Sequence, residues 1–433
     1  MPPTDTYIQG ALSTSDVSTD MQPGEWEANI HNIIPAGKAP FAAMMMAVGR
    51  QPVQSKNFHW TQQAFPEQRG TISAITTTPG GSAYASGGVQ GTPLWLTMSE
   101  ADAKQIVPTH TIILMDPVTG SEFVAQVDQV MYRPGGTAWI GINMREADNG
   151  ANDLADVTSF WLMTQVQAEG GNTPKAMTRQ PVWYDNITTI CSMATGMTGT
   201  QMVEMSRLSP NERTRQRVDG ALRSAVEMEK SMLFSKRDIR YVGNEEVRFT
   251  QGVVPAIVAN SPGNVFNHVT DTDTFLTTWV ASGWYFLMQK LEILFRYTET
   301  GRKQALIGSL GLAAIGTAVE AKAGAGIQLV TRQSSFGFAI TTLVTPFGEL
   351  DLILDPLFTT HPQRRRSMLV FEVPLIKYCP LQGREWKFLP SIHDPNTHFG
   401  PDLQVEGWRG EYGVKYLNTD ALGWFVNLGM DNV

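Results

Sequence analysis

The feature that most limits what this chain can fold into lies near its middle. Ser209-Pro210-Asn211-Glu212 has the pattern of a capping box with proline at the first helical position. The serine hydroxyl accepts from the Glu212 amide while the Glu212 carboxylate reaches back to the serine N–H. The helix that follows is expected to run from about Pro210 to Asp238, with Val218, Leu222, Ala225, Met232 and Leu233 on one face. Arg215–Asp219, Asp219–Arg223 and Arg223–Glu227 are opposite-charge i,i+4 pairs on another face, each contributing about 0.2–0.5 kcal/mol. At 1.5 Å per residue the helix spans roughly 40 Å, long enough to be the backbone of a domain.

The segments around it differ in character. Residues 1–30 are polar, with Pro2, Pro3 and Pro23, and read as an extended arm. Pro40 opens a short helix to Val48, which Gly49 stops. Lys56–Gln62 alternates like a strand. Short β-rich runs then appear at Thr71–Thr78, Thr92–Met98, His110–Met115, Phe123–Met131, Ala138–Asn143 and Ser159–Gln165. The turn clusters between them mark a small all-β barrel or sandwich. Residues 166–205 read as a loop with extended segments. Beyond the long helix, residues 252–345 are mixed α/β. A helix capped from Thr270–Thr274 runs through Phe275–Met288, Lys290–Tyr297 has strand character, Arg302–Val319 reads as a helix, and Gly326–Val330 and Phe338–Val344 read as strands. Leu350–Leu354, Met368–Val373, Glu411–Leu417 and Gly423–Leu428 are further extended runs. The fold class is α+β.

Composition narrows the function. A chain of 433 residues suggests two to four units at about 100–200 residues each. With 42% hydrophobic and 9% aromatic residues it is not disordered throughout. Only 17% of residues are charged, against roughly 25% in an average soluble domain. That suits surfaces that meet other protein, although a plain enzyme surface is equally compatible. The net charge of −8 argues against a free-standing duplex-DNA binder. The N-terminus has neither the basic region nor the apolar core of a signal peptide. The longest uncharged apolar stretch, Gln304–Val319, is 16 residues, short of the about 20 that a membrane span needs. Cys191 and Cys379 make neither a disulfide framework nor a zinc site by themselves, and read as two buried thiols made in a reducing place.

No catalytic constellation emerges, and no catalytic residue, cofactor or metal is expected. The phosphate-loop pattern and HExxH are absent. Gly308–Gly316 lacks the GxGxxG spacing and reads as small residues packing a helix. Gly80-Gly-Ser-Ala-Tyr84 has the wrong fifth residue for a nucleophile elbow. His393, Asp394 and His398, with His361 earlier, come nearest to a ligand cluster but read as turn and surface residues. Asp271 and Asp273 read as helix caps, and the Asn186-Ile-Thr188 sequon as chance. Arg364-Arg365-Arg366 is the one dense basic run. It is either a solvated loop or a contact to nucleic acid or an acidic partner, and one such run supports no claim of nucleic-acid recognition.

Several segments together resemble the major capsid (major head) proteins of tailed bacteriophages. They are Pro40-Phe41-Ala-Ala-Met-Met, Lys56-Asn-Phe-His-Trp60, Ala168-Glu169-Gly170-Gly171 with Pro174, and Asn186-Ile-Thr followed by the long helix. Gly252–Asn260, Met368–Pro374 and Pro380-Leu-Gln-Gly-Arg-Glu-Trp386 continue the series. The pattern resembles the Hong Kong 97-type fold, in the branch with a β-rich insertion. The resemblance implies an N-terminal arm (1–50), a peripheral-domain strand leading to the insertion (51–70), the insertion domain (71–163) and an extended loop (164–200). After these come the peripheral domain with its spine helix (201–249), an axial domain (250–365), and a return to the peripheral domain (366–433).

It further implies self-assembly into hexamers and pentamers of an icosahedral head in the virion, built in the host bacterial cytoplasm. The head would enclose double-stranded DNA without sequence-specific binding or a membrane. Portal, decoration and separate scaffolding proteins would be the other partners, because the arm lacks the long charged helical prodomain of some members. Phe41, Trp60, Glu169, Arg213, Arg217, Arg223, Arg364, Arg365 and Arg366 are the expected inter-subunit contacts. No position matches a motif for the covalent Lys–Asn cross-link of some members. The alternatives are an encapsulin-type nanocompartment shell, which would carry a cargo enzyme rather than nucleic acid, and an α/β enzyme with an accessory β domain, which would form a small oligomer with a deep polar pocket.

Overall fold

The computed structural model describes residues 39–63, 68–116, 120–148, 154–167, 169–171, 177–178, 180–203, 212–270, 278–296, 298, 300–321, 329–333, 339–391, 393 and 399–431. Two units divide the chain, one of residues 1–60 and 183–433 and the other of residues 61–182. The arm over 1–30, Ser209 to Asn211 of the capping box, Asp271, Asp273, Asp394 and His398 lie outside the described residues.

Proline starts the first helix of the larger unit, α1 (Pro40–Val48), and buries Phe41, Ala42, Met44 and Met45. Strand β1 (Asn57–Gln62) alternates, with Phe58 and Trp60 inward. The smaller unit follows as β2 (Arg69–Thr71), β3 (Ala74–Thr76), β4 (Pro93–Ser99), a short helix α2 (Glu100–Ala103), β5 (His110–Met115), β6 (Glu122–Tyr132), β7 (Thr137–Met144) and β8 (Ser159–Gln165). Period-two burial in β4, β5 and β7 sends Leu94, Leu96, Ile112, Leu114, Ile140 and Ile142 to one side, where they form a core of their own.

The strand order is β2-β8-β5-β6-β7-β4-β3. Its two edge strands are separated in sequence by only Ile72 and Ser73, so the sheet must roll round on itself. The crossing falls between neighbours: the Ile72 N–H donates to Thr158 O at 2.7 Å on one side and the Ser73 N–H to Thr97 O at 2.7 Å on the other. A barrel closed this way leaves no long free edge. Gly135 and Gly136 turn β6 into β7 with φ of 100° and 80°, a region closed to most side chains.

The chain re-enters the larger unit through β9 (Val182–Ile187), which pairs with β1. Then come β10 (Thr189–Met197), α3 (Gly199–Val203), α4 (Glu212–Phe234), the hairpin β11 (Asp238–Val242) and β12 (Glu245–Phe249), α5 (Val253–Asn260), β13 (Val265–Asn267), α6 (Trp279–Phe295), β14 (Arg302–Ile307) and α7 (Ser309–Glu320). The remainder is β15 (Leu329–Gln333), β16 (Ala339–Thr345), β17 (Gly348–Leu354), α8 (Pro356–Thr360), β18 (Met368–Phe371), β19 (Ile376–Pro380), β20 (Lys387–Leu389), β21 (Gln404–Tyr416) and β22 (Gly423–Val426). A long central strand, β21, pairs with β10 on one side and with β19 and β20 on the other. Helix α4 contributes Met228, Met232 and Leu233 to the same core as Phe41, Trp60, Tyr412 and Tyr416. The second sheet runs β13-β22-β18-β14-β17-β16-β15. It shares a separate core with α6 and α7 through Phe286, Leu287, Ile315, Leu352 and Phe425.

Several expectations need correcting. Residues 290–295 are the end of α6, not a strand, because Leu287, Leu291, Leu294 and Phe295 extend one helical stripe. The stretch over 302–319 is a strand and then a helix. Ala305, Leu306 and Ile307 are buried on both faces of β14, and a doubly buried strand looks the same as a buried helix by periodicity. Gly308 is the N-cap residue at the junction, where a Cβ would meet Arg365 O at 2.6 Å. Residues 166–205 do carry extended segments, β9 and β10, and add a short helix, α3, that was not expected. The α4 helix ends at Phe234, short of Asp238, and Val218 is 54% exposed rather than on the buried face. Cys379 is buried but Cys191 only half so, its thiol 3.4 Å from the Tyr412 hydroxyl. Burial raises both thiols above their ordinary range, Cys379 to about 12.

Candidate assembly surface

One turn of α4 brings two guanidinium groups onto one carboxylate. Arg213 and Arg217 share a helix face and both reach Glu406 on β21. Arg213 Nη2 is 2.9 Å from Oε2, and Arg217 donates from Nε to Oε1 at 2.5 Å and from Nη2 to Oε2 at 2.6 Å. The second is the fork-to-fork geometry that makes arginine pairs strong. Hydrogen bonding to Arg217, then Arg213, holds the Glu406 carboxyl down at about 2. The Arg217 guanidinium also lies 5.0 Å from the centre of the Phe388 ring.

Further along β21, buried Glu411 gathers donors from three segments. Oε1 accepts from Thr188 Oγ1 at 2.7 Å and Arg248 Nη2 at 2.6 Å, and Arg384 Nε lies 3.3 Å from Oε2. Arg248 belongs to β12, so this centre fixes the β11–β12 hairpin. The Thr189 hydroxyl on Arg248 O at 2.8 Å and the Lys56–Glu246 pair at 2.6 Å add further ties. A two-stranded hairpin is marginal alone in water, and these ties hold it. Apolar side chains stand exposed on both its faces, Ile239 and Tyr241 (71%) on one and Val242 (68%), Val247 and Phe249 on the other, the latter beside exposed Arg240 and Glu245. Exposed apolar side chains on an anchored hairpin are available to be covered by another surface.

The nine expected contact residues fall into three groups. Phe41 and Trp60 are corrected: they are interior. Phe41 is 0% exposed, edge-on to Phe371 at 5.4 Å, and Trp60 stacks on Phe58 and Tyr184. Their area is used up inside the subunit and is not offered to a neighbour. Arg213, Arg217, Arg364 and Arg366 serve internal ties. Arg364 sits 3.8 Å over the Phe234 ring, and Arg366 Nη1 donates to Leu428 O at 3.0 Å. Glu169, Arg223 and Arg365 are exposed. Sequence reasoning missed Glu406, Glu411 and the hairpin. It also missed a buried carboxyl pair, Glu229 and Asp355, below the C-terminal half of α4.

A cleft of about 460 Å³ lies beside β20 and β21 and is lined by Leu389, Pro390, Leu403, Val405 and Trp408 with His393. His393 Nε2 is taken up by Pro401 O at 3.0 Å. Among the described residues no cluster of three or more His, Cys, Asp or Glu could hold a metal.

Arg213, Arg217 and Arg248 are thus spent on ties within the chain, and the anchored hairpin leaves apolar side chains exposed. The SU10 major capsid protein family model matches residues 13–429, and the chain belongs to that family. It is 22% identical over 440 residues to the major capsid protein of Pseudomonas phage PaMx41, covering 97% of this chain and 96% of the relative. Similar solved structures include one from Mycobacterium phage Bobi, at 9% identity, 96% and 99% coverage and a TM-score of 0.42. The SrpI encapsulin complex of Synechococcus elongatus is another, at 13% identity, 59% and 78% coverage and a TM-score of 0.38. The chain is a structural capsid shell protein of a tailed phage, not an enzyme, and its place is the virion. It works by self-assembly into a shell.

Proposed function

We propose that the chain forms the hexamers and pentamers of an icosahedral head of Hong Kong 97 type, enclosing double-stranded DNA without reading its sequence. The observation that carries this reading is the family match, which runs from residue 13 to residue 429 and so takes in both units. In this reading α4 is the spine helix, the barrel within 61–182 is the inserted domain, and the sheet containing β14 to β18 belongs mainly to the axial domain. The first 50 residues are the arm and 164–200 the extended loop, with β10 its return into the larger unit. Assembly takes place in the host cytoplasm, with portal, scaffolding and decoration proteins as partners.

The contacts between subunits are the β11–β12 hairpin together with exposed Glu169, Arg223 and Arg365. Burying several exposed side chains at each of many repeated contacts sums to the large obligate class of interface. Negative-stain electron microscopy with sedimentation velocity on the untagged protein tests the reading. Closed shells, or rings of five or six subunits, are expected. A compact monomer or dimer, with and without a crowding agent, would count against it. Removing residues 1–30 should impair assembly without unfolding the subunit, and normal shells from that truncation would remove the arm assignment.

A further inference from the structure

Glu229 on α4 is 1% exposed, and Asp355, which caps α8, is 0% exposed. Each commits one oxygen to a backbone donor. Glu229 Oε2 accepts the Ala42 N–H of α1 at 3.0 Å, and Asp355 Oδ1 accepts the Leu357 N–H of α8 at 2.7 Å. The other two oxygens, Glu229 Oε1 and Asp355 Oδ2, have no donor among the described groups, yet the two carboxyls are in hydrogen-bonding contact with each other. Two bare carboxylates would leave both oxygens unsatisfied and set like charges side by side in a dry core. One proton between them removes both penalties.

Among the described residues, the cation packed nearby, Arg364, is spent on the Phe234 and Trp424 rings. Helices α1, α5 and α8 and strand β18 carry no ionisable side chain within their spans, and on α4 the neighbouring Glu227 and Lys230 are exposed. Helix α1 depends on this centre. Its N-cap residue, Ala39, gives no side-chain hydrogen bond, and the Glu229 carboxyl caps the first turn from another helix.

We propose that Glu229 and Asp355 share one proton, and that this proton latches the start of α1 to α4 and α8. When the proton leaves, the two charges repel. Asp355 caps its own helix through the Leu357 and Phe358 amides, whereas the Ala42 and Phe41 amides that hold Glu229 belong to a different helix, so the repulsion is relieved by parting α1 from α4, and α1 loses its cap.

The sign follows from the cause. Burial, first, and the neighbouring carboxyl raise Glu229 well above the ordinary carboxylate range, and burial raises Asp355. Groups raised in the folded state stabilise fully below their ordinary values, and that stability is lost as pH rises. The latch is therefore closed in acid and opens progressively toward about pH 9.

Glu229→Gln keeps the acceptor for Ala42 and a donor for Asp355 but cannot ionise. The test is hydrogen exchange of the 40–48 segment in full-length wild type and Glu229→Gln across that pH range, each corrected for intrinsic exchange. The two should agree near pH 5. Above that, the wild-type opening should exceed the variant's by about tenfold per pH unit, the response to one proton. Parallel pH courses would overturn the proposal. If Glu229→Gln does not fold, Asp355→Asn keeps the α8 cap and donates to Glu229. It should flatten the same pH response, and a wild-type response in that variant would overturn the latch.

Discussion

The two halves of α4 meet the rest of the subunit through the same kind of side chain in opposite states. Near its N-terminus two arginines hold Glu406 as a carboxylate, with its pKa lowered to about 2. Near its C-terminus Glu229 sits beside Asp355, with no cation among the described groups that act on it, and its pKa is raised. The difference teaches that burial alone does not decide a carboxyl's charge. Both glutamates are shielded from water, and what separates them is the partner: hydrogen bonds from guanidinium groups favour the anion, while an apolar pocket with a second carboxyl favours the acid. The two ends of one helix should therefore answer pH in opposite senses.

The largest expected effect breaks the C-terminal half. Phe41→Ala removes the ring that packs α1 onto Phe371 beside the carboxyl pair. A buried aromatic truncated to alanine costs about 3–5 kcal/mol, read as a lower midpoint in chemical denaturation. It should also speed exchange throughout α1 at every pH, whereas loss of the latch acts only as pH rises. Next comes the N-terminal half. Glu406→Ala leaves Arg213 and Arg217 facing each other without their acceptor, and hydrogen bonds to charged groups are worth about 1.5–3 kcal/mol each. The partial exposure of both arginines places the loss at the low end of that range.

The pH comparison sharpens the contrast. Glu406 is lowered in the folded state, so its contribution is present above the ordinary carboxylate range and lost as pH falls through it toward about 2. Glu406→Gln should flatten the acid limb of the stability curve and leave the alkaline limb unchanged. Glu229→Gln should do the reverse. Thermal melts of the two variants from acid to alkaline pH check this, and identical limbs in both would show that α4 is not divided as described.

How much of this was legible in the sequence differs between the units. The barrel strands were readable because one face of each is wet, so Leu94, Leu96 and Met98 alternate with half-exposed neighbours. In the larger unit β14 is buried on both faces and gives no alternation, which is why a helix was expected there. The Glu229 position was readable in principle. It lies four residues before Leu233 and three before Met232, on the buried stripe of α4, where a carboxyl needs a reason. Asp355 was not readable as its partner, nor Glu406 as the partner of Arg217, 189 residues away. Such contacts are made by the sheet order, and no local pattern records them.

The smallest expected effect on the subunit is the most informative about the shell. Arg223 projects from the exposed side of α4 between the two halves, and Arg365 is the exposed member of its run. Surface substitutions of this kind usually move stability by less than about 0.5 kcal/mol. Arg223→Ala and Arg365→Ala should therefore melt as wild type does, while Tyr241→Ser on the hairpin should also leave the subunit folded, because Tyr241 is already open to water. Against that flat background any change in the yield of closed shells, measured by sedimentation velocity, belongs to contacts between subunits. The hairpin change should reduce yield more than either arginine change, since rim charges are screened and solvated in both states whereas an apolar side chain gains only when it is covered. Equal yields from all three variants would mean that Tyr241 of the hairpin is not covered when subunits meet.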